Sequence, residues 1–110
     1  MADPAEKYVR VWLDDIRPMP SGFDLHVTTQ AAAIALIATG TVVKISLDHD
    51  LGDEAVTGNG YGVACFIEEG AYRNTLPRLA WTIHSANPVG RANMGRALAN
   101  AERYWQQHGR

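Results

Sequence analysis

Short apolar runs alternate with polar, turn-rich stretches along this chain, and the period of the apolar positions changes from run to run. Tyr8 to Leu13 and Val42 to Leu47 are bulky, β-branched and short, as strands are. Asp24 to Val27 and Leu79 to Ile83 read as two further strands. Val42 to Leu47 is apolar on both faces except at Lys44 and Ser46, the pattern of a buried parallel strand. Elsewhere the period lengthens to that of helices. Thr28 or Thr29 caps a helix that runs on Ala and Leu to about Ala38 and stops at Gly40. Gly60 or Tyr61 opens a second, with Val63, Phe66, Ile67 and Ala71 on one face. Asn87-Pro88 starts the last, Asn as cap and Pro at the first helical position, and Met94, Ala97, Leu98, Ala101, Tyr104 and Trp105 share a face up to about Gln107. Asp15 to Phe23, with Pro18, Pro20 and Gly22, and the glycine-rich Asp48 to Gly60 are loops.

The order β-β-α-β-α-β-α predicts a small three-layer α/β sandwich: a parallel sheet of about four strands in the order 2-1-3-4, with helices on both faces. The connection between the first two strands is short for a crossover, so an antiparallel second strand is the alternative. At 110 residues the chain is expected to form one domain, residues 1–110, with a core that needs no staples. Cys65 is the single cysteine, which rules out an internal disulfide or a cysteine-based zinc site and reads as a small buried hydrophobe. The formal charge is −2 and the 10 basic residues are dispersed, which argues against a protein that tracks extended duplex nucleic acid. Met1 to Lys7 does not read as a signal peptide, and no apolar run is long enough to span a membrane. A cytoplasmic protein is expected.

Three strands end in the same kind of place. Asp14-Asp15-Ile16-Arg17-Pro18, Asp48-His49-Asp50 and His84-Ser85-Ala86-Asn87-Pro88 each follow an apolar run directly. In an open parallel sheet those carboxyl ends share one edge, where ligands bind. Adjacent carboxylates such as Asp14 and Asp15 repel one another unless a cation or a guanidinium intervenes, and with Asp48 they suit Mg²⁺ or Mn²⁺. Arg17 is placed to clamp a phosphate or to neutralise Asp15. Asp48 and Asp50, two apart on an extended strand end, project to one side while His49 points away. His84 is an acid–base candidate, or else a buried histidine bonded to the backbone. Ser85, Asn87 and Arg91 surround a helix N-terminus that suits an anion. The four glycines from Gly52 to Gly62 fit neither a mononucleotide- nor a dinucleotide-binding pattern, and that segment reads as a flap or a surface loop. Trp12, Trp81 and Trp105 read as core.

Together these three motifs resemble the cyclic-phosphate-processing receiver-like domains of bacteria and phages, over nearly the whole chain. The resemblance implies a variant of the flavodoxin-like receiver fold of response regulators. It implies that Asp14 and Asp15 are the metal-binding acidic pair, that Asp48 matches the phospho-accepting aspartate, and that Ser85 matches the hydroxyl residue after the fourth strand. Ordinary receivers also carry a phosphate-binding lysine at the end of a fifth strand, and here no lysine follows Lys44. The expected function is therefore a phosphoesterase acting on a cyclic phosphate of a nucleotide or an RNA end. In that reading the ion sits at Asp14, Asp15 and Asp48, catalysis falls to His49, His84, Asp48 and Asp50, and Arg17, Ser85, Asn87 and Arg91 bind substrate. A module that binds a small phosphorylated ligand without chemistry is the alternative, and a degenerate phospho-receiver the third. Oligomeric state is not legible.

Overall fold

The computed structural model describes residues 8–110, so the segment in which no signal peptide is expected lies outside the described residues. Strands β1 (Val9–Leu13), β2 (Leu25–Val27), β3 (Val42–Leu47) and β4 (Ala80–Ile83) form one parallel sheet in the order β2-β1-β3-β4. The helices are α1 (Gln30–Ala38), α2 (Glu54–Thr57), α3 (Gly60–Tyr72) and α4 (Pro88–Gln107). The chain has the expected α/β receiver-like architecture and strand order. Helix starts follow their caps: the side chains of Thr29, Asn59 and Asn87 accept from first-turn N–H groups of α1, α3 and α4. Tyr8 lies just outside β1, and the 48–60 loop holds a short helix that its polar sequence conceals, capped by Asp53.

β2 is parallel, and the antiparallel alternative is excluded. A five-residue strand is only about 17 Å long, so the connection from Asp14 to Asp24 can return along it without a helix. A clamp fixes the landing point. The Asp24 carboxylate accepts from Arg10 N at 2.8 Å and Nε at 3.1 Å, while Asp24 N donates to Arg10 O at 2.8 Å.

The distribution of helices differs from the expected two faces. The steps β2 to β3 and β3 to β4 run in the same direction across the sheet, so right-handed crossovers put α1 and α3 on the same side. There α3 packs against both α1 and α4. Val11, Leu13, Ile45 and Leu47 join Ile37, Ile67, Met94 and Leu98 in one buried cluster. A helix between β1 and β2, which step the other way, would have covered the opposite face. Its place is taken by the 14–24 loop. Phe23 packs edge-on against Trp12 with ring centroids 5.3 Å apart, and Lys44 Nζ sits 4.9 Å over the Phe23 ring. Trp12 is buried under this loop, outside the main core, whereas Trp105 is fully enclosed in it. Cys65 is half-buried rather than in the core, one position off the face formed by Val63, Ala64, Ile67 and Ala71. Among the described residues no helix is long and apolar enough to cross a membrane.

Gly60 is where fold and site meet, because a Cβ there would lie 2.0 Å from the Asp48 carbonyl oxygen. Backbone on both sides leaves no cheap relief. Gly60→Ala is expected to destabilise the protein by about 1–3 kcal/mol, read as a lower denaturant midpoint at unchanged m-value.

Candidate functional site

The sheet ladder runs one step past β1, β3 and β4. Asp14 N donates to Val27 O (3.2 Å), Asp48 N to Leu13 O (3.0 Å) and His84 N to Leu47 O (3.0 Å). Those bonds set Asp14, Asp48 and His84 side by side at the carboxyl edge, although they lie far apart in sequence.

Asp14 is fully buried, and protein donors occupy its carboxylate. Oδ1 accepts from Ile16 N and Arg17 N, each at 2.8 Å; Oδ2 accepts from His84 Nε2 at 2.9 Å and Arg17 Nη1 at 3.3 Å. Four donors use up the four lone-pair positions of a carboxylate. Burial alone would push its pKa up, but the two backbone N–H bonds and His84 outweigh burial and hold it below the usual carboxylate value.

Asp48 has the opposite balance. It is 8% exposed and accepts one hydrogen bond, from His49 N at 2.9 Å. Burial, and next the charge of Asp14, push its pKa up, and the His49 N–H and nearby cations offset this only in part. Asp15 makes no hydrogen bond among the described residues. A Cβ on Gly52, whose φ is +114°, would come within 4.0 Å of Asp15 Oδ2. Asp14, Asp15 and Asp48 each offer an oxygen within 4.8 Å of the others, so this cluster could hold a metal ion.

The cluster floors a cleft of about 400 Å³ lined by Asp14, Asp15, Ile16, Arg17, Asp48, Asp50, Gly52 and Ala86. Arg17 spans it. Nη1 reaches Asp14, the His84 carbonyl at 3.0 Å and, more distantly, Asp48 at 3.8 Å; the rest of the guanidinium is unpaired among the described residues. Asp50 faces the cleft with Asp48 and His49 does not line it, as strand alternation requires. His49 Nδ1 contacts Asp50 Oδ1 at 2.8 Å, and the ring packs where a Gly90 Cβ would stand. The hydrogen bond from His49, the largest influence, holds the Asp50 pKa down.

His84 is enclosed. Nε2 bonds Asp14 and Nδ1 lies 2.8 Å from Ser46 Oγ, and the ring stacks on the Trp12 indole at 3.8 Å and 6°. Burial lowers its pKa against the pull of Asp14. Neither carbonyl bonding nor a free imidazole edge describes it. Ser85 is buried, with Oγ accepting from Asn87 N at 3.1 Å, and Asn87 Oδ1 accepts from Gly90 N at 2.9 Å. Ser85, Asn87 and Arg91 do not line the cleft, and Arg91 is exposed without a partner among the described residues. The 48–60 segment is braced rather than free: Leu51 is buried, Asp50 bridges to Asn59, and Asn59 N donates to Gln30 Oε1 at 3.0 Å. Trp12, Ser46, Ile16, Gly52 and Ala86 escaped the sequence reading of the site. Only Ser46, a hydroxyl in an otherwise apolar strand, carried a signal.

No curated protein and no solved structure matches this chain. One family model does match, over residues 9–100, and its description is the cyclic-phosphate processing receiver domain. The match runs from β1 well into α4 and includes every residue of the acidic cluster and the cleft. With the parallel 2-1-3-4 sheet and the carboxylates at its carboxyl edge, it places the chain in the cyclic-phosphate processing receiver domain family.

Proposed function

We propose that the protein is a metal-assisted phosphoesterase that opens or removes a cyclic phosphate on a nucleotide or an RNA end. The observation that carries this reading is the charge of the cleft. Asp14, Asp15, Asp48 and Asp50 face it against the single guanidinium of Arg17. An anionic phosphate would be repelled from such a cleft without a cation. The donor set fits Mg²⁺ or Mn²⁺: hard oxygen ligands, close together, two of them with unused lone pairs. Asp15 and Asp48 would hold the ion, and Asp14, its own oxygens engaged, would stand behind them. A bound divalent ion supplies neutralisation of phosphoryl charge and polarisation of a phosphoryl oxygen. The free N–H groups of Arg17 would hold a non-bridging oxygen of the ligand where charge builds up. Asp50, which faces the cleft and is held at Oδ1 by His49 Nδ1 from outside it, would take the proton from an attacking water or a ribose hydroxyl, with His49 behind it. Ser85, Asn87 and Arg91 stand outside the cleft and would not grip a phosphate bound in it.

A panel of 2′,3′-cyclic and 3′,5′-cyclic nucleotides and short oligonucleotides, each with several divalent metals, tests this directly. Turnover should require metal and fall at least a hundredfold in Asp50→Asn, in line with loss of a general base. Complete absence of turnover by folded protein would leave the second reading, a module that captures a cyclic nucleotide or phosphorylated ligand without chemistry. The engagement of both His84 ring nitrogens favours that alternative. In it, calorimetric affinity survives His49→Ala and no substrate is consumed.

Arg17 separates ligand from metal. Arg17→Ala should weaken binding of a phosphorylated ligand by roughly tenfold or more while tightening Mn²⁺, because the variant removes the one cation already on the acidic cluster. Calorimetry with each ligand alone reads both signs.

Asp48 should cost stability when no metal is bound. Its folded pKa is raised, so the folded state holds its proton more tightly than the unfolded state does. The penalty is absent below the unfolded value and grows as pH rises through the folded one. Asp48→Asn should therefore raise the metal-free Tm at pH 7, and the advantage should vanish toward about pH 3. Mg²⁺ or Mn²⁺ should raise the Tm of the wild type but not of the variant, because only the native wild-type site binds it. An Asp48→Asn protein less stable than wild type at pH 7 would make Asp48 a structural hydrogen-bonding residue.

A further inference from the structure

Beneath the cleft, on the face without helices, a row of side chains crosses the whole sheet. His26, Trp12, Ser46 and Thr82 are register partners in β2, β1, β3 and β4. Two residues on, and so on the same face, come Asp14, Asp48 and His84. The row supports that tier. His26 Nε2 lies 2.8 Å from the Asp14 carbonyl oxygen, Trp12 stacks on His84, and Thr82 Oγ1 donates to Ser46 Oγ at 2.7 Å. Ser46 Oγ in turn lies 2.8 Å from His84 Nδ1.

The donor sense along this chain is determined from both ends. An ionised carboxylate only accepts, so His84 Nε2 must carry the proton that meets Asp14, and in a neutral imidazole Nδ1 is then an acceptor. From the other end, Thr82 donates to Ser46, which leaves the Ser46 proton for Nδ1. Both ends select one tautomer. An apolar residue at position 46 would leave Nδ1 of the half-buried ring an unsatisfied acceptor. The Asp14 carboxylate would still demand the proton on Nε2, so the ring would keep its tautomer but lose its second anchor.

We infer that Ser46 and Thr82 are positioning residues, whose ordered hydroxyls anchor the His84 ring at Nδ1, in the Nε2–H tautomer that Asp14 demands, so that it fixes Asp14 and, through Asp14, the spacing of the carboxylates in the cleft. They touch neither ligand nor ion. Ser46 is buried and acts directly on the imidazole, whereas Thr82 is exposed and water can partly replace it. The tautomer stands on these hydrogen bonds alone; the consequence for a cation rests on the metal-assisted reading above.

The test pairs imidazole ¹⁵N NMR of the full chain near pH 8 with Mn²⁺ calorimetry. Wild-type His84 should show a protonated Nε2 and an unprotonated Nδ1. Ser46→Ala should keep the proton on Nε2 but move the Nδ1 resonance toward that of an acceptor without a donor, and weaken Mn²⁺ by about tenfold, with His49 resonances unmoved. Thr82→Val should do the same more weakly, and Thr82→Ser, which keeps the hydroxyl, should restore both readouts. Wild-type His84 in the Nδ1–H form, or a folded Ser46→Ala with wild-type Nδ1 resonance and Mn²⁺ affinity, overturns the proposal. Should Ser46→Ala fail to fold, the exposed Thr82 pair decides: Val and Ser behaving alike overturns it. A wild type that binds no Mn²⁺ would overturn the metal-assisted reading instead, and the Nδ1 resonances would still decide this one.

Discussion

The Asp14 carboxylate is the point against which the rest of the site is registered. Four donors from two parts of the chain end on its two oxygens: the Ile16 and Arg17 amides, the Arg17 guanidinium and the His84 imidazole. A fully buried carboxylate is costly unless its lone pairs are taken, and here each has a partner. The local bonds fold the chain after β1 into a tight turn that points Arg17 back across the cleft. The distant bond ties the end of β4 to the end of β1 across β3. Moving any one of these residues would leave a lone pair of the buried carboxylate without its donor.

That arrangement depends on a sheet with one bare face. The missing helix between β1 and β2 exposes the side of the sheet on which Trp12, Ser46 and Thr82 lie, and the short loop in its place covers it only with Phe23 and the backbone near Arg17. A helix packed there would have called for apolar side chains. The loop tolerates hydroxyls and imidazoles, so a polar row can run through the sheet toward the site. Burial elsewhere is conventional, with α1, α3 and α4 supplying one core on the other side.

Asp14 and Asp48, neighbours at the same edge, have opposite electrostatic fates. Asp14 is satisfied and stays ionised readily; Asp48, desolvated and repelled by Asp14, does not. Asp15 and Asp48 keep open lone pairs at the mouth of the cleft. This asymmetry turns a row of aspartates into a cluster with one supporting member and two whose open lone pairs face the cleft. The membership of the chain in the cyclic-phosphate processing receiver domain family agrees with an anion handled at this edge.

By itself the sequence determined the elements and the edge. Cap residues Thr29 and Asn87 mark helix starts through bonds made within four residues, and apolar runs that break into Asp14, Asp48 and His84 mark the carboxyl ends, so both are legible without coordinates. The strand order follows from the run lengths and the handedness of crossovers. The number of covered faces was not legible, because it depends on what fills the space beside Trp12 rather than on any local pattern. Nor was the division of labour among the polar residues. His84 read as an acid–base candidate from its place after a strand, but the tertiary structure puts Ser46 and Asp14 on its two nitrogens and Trp12 on its face. Ser85 and Arg91 follow the same strand closely, yet the capping turn buries the one and the helix turns the other away from the cleft. Spacing along a chain says which residues share an edge; only the three-dimensional hydrogen bonds decide which lone pairs remain free.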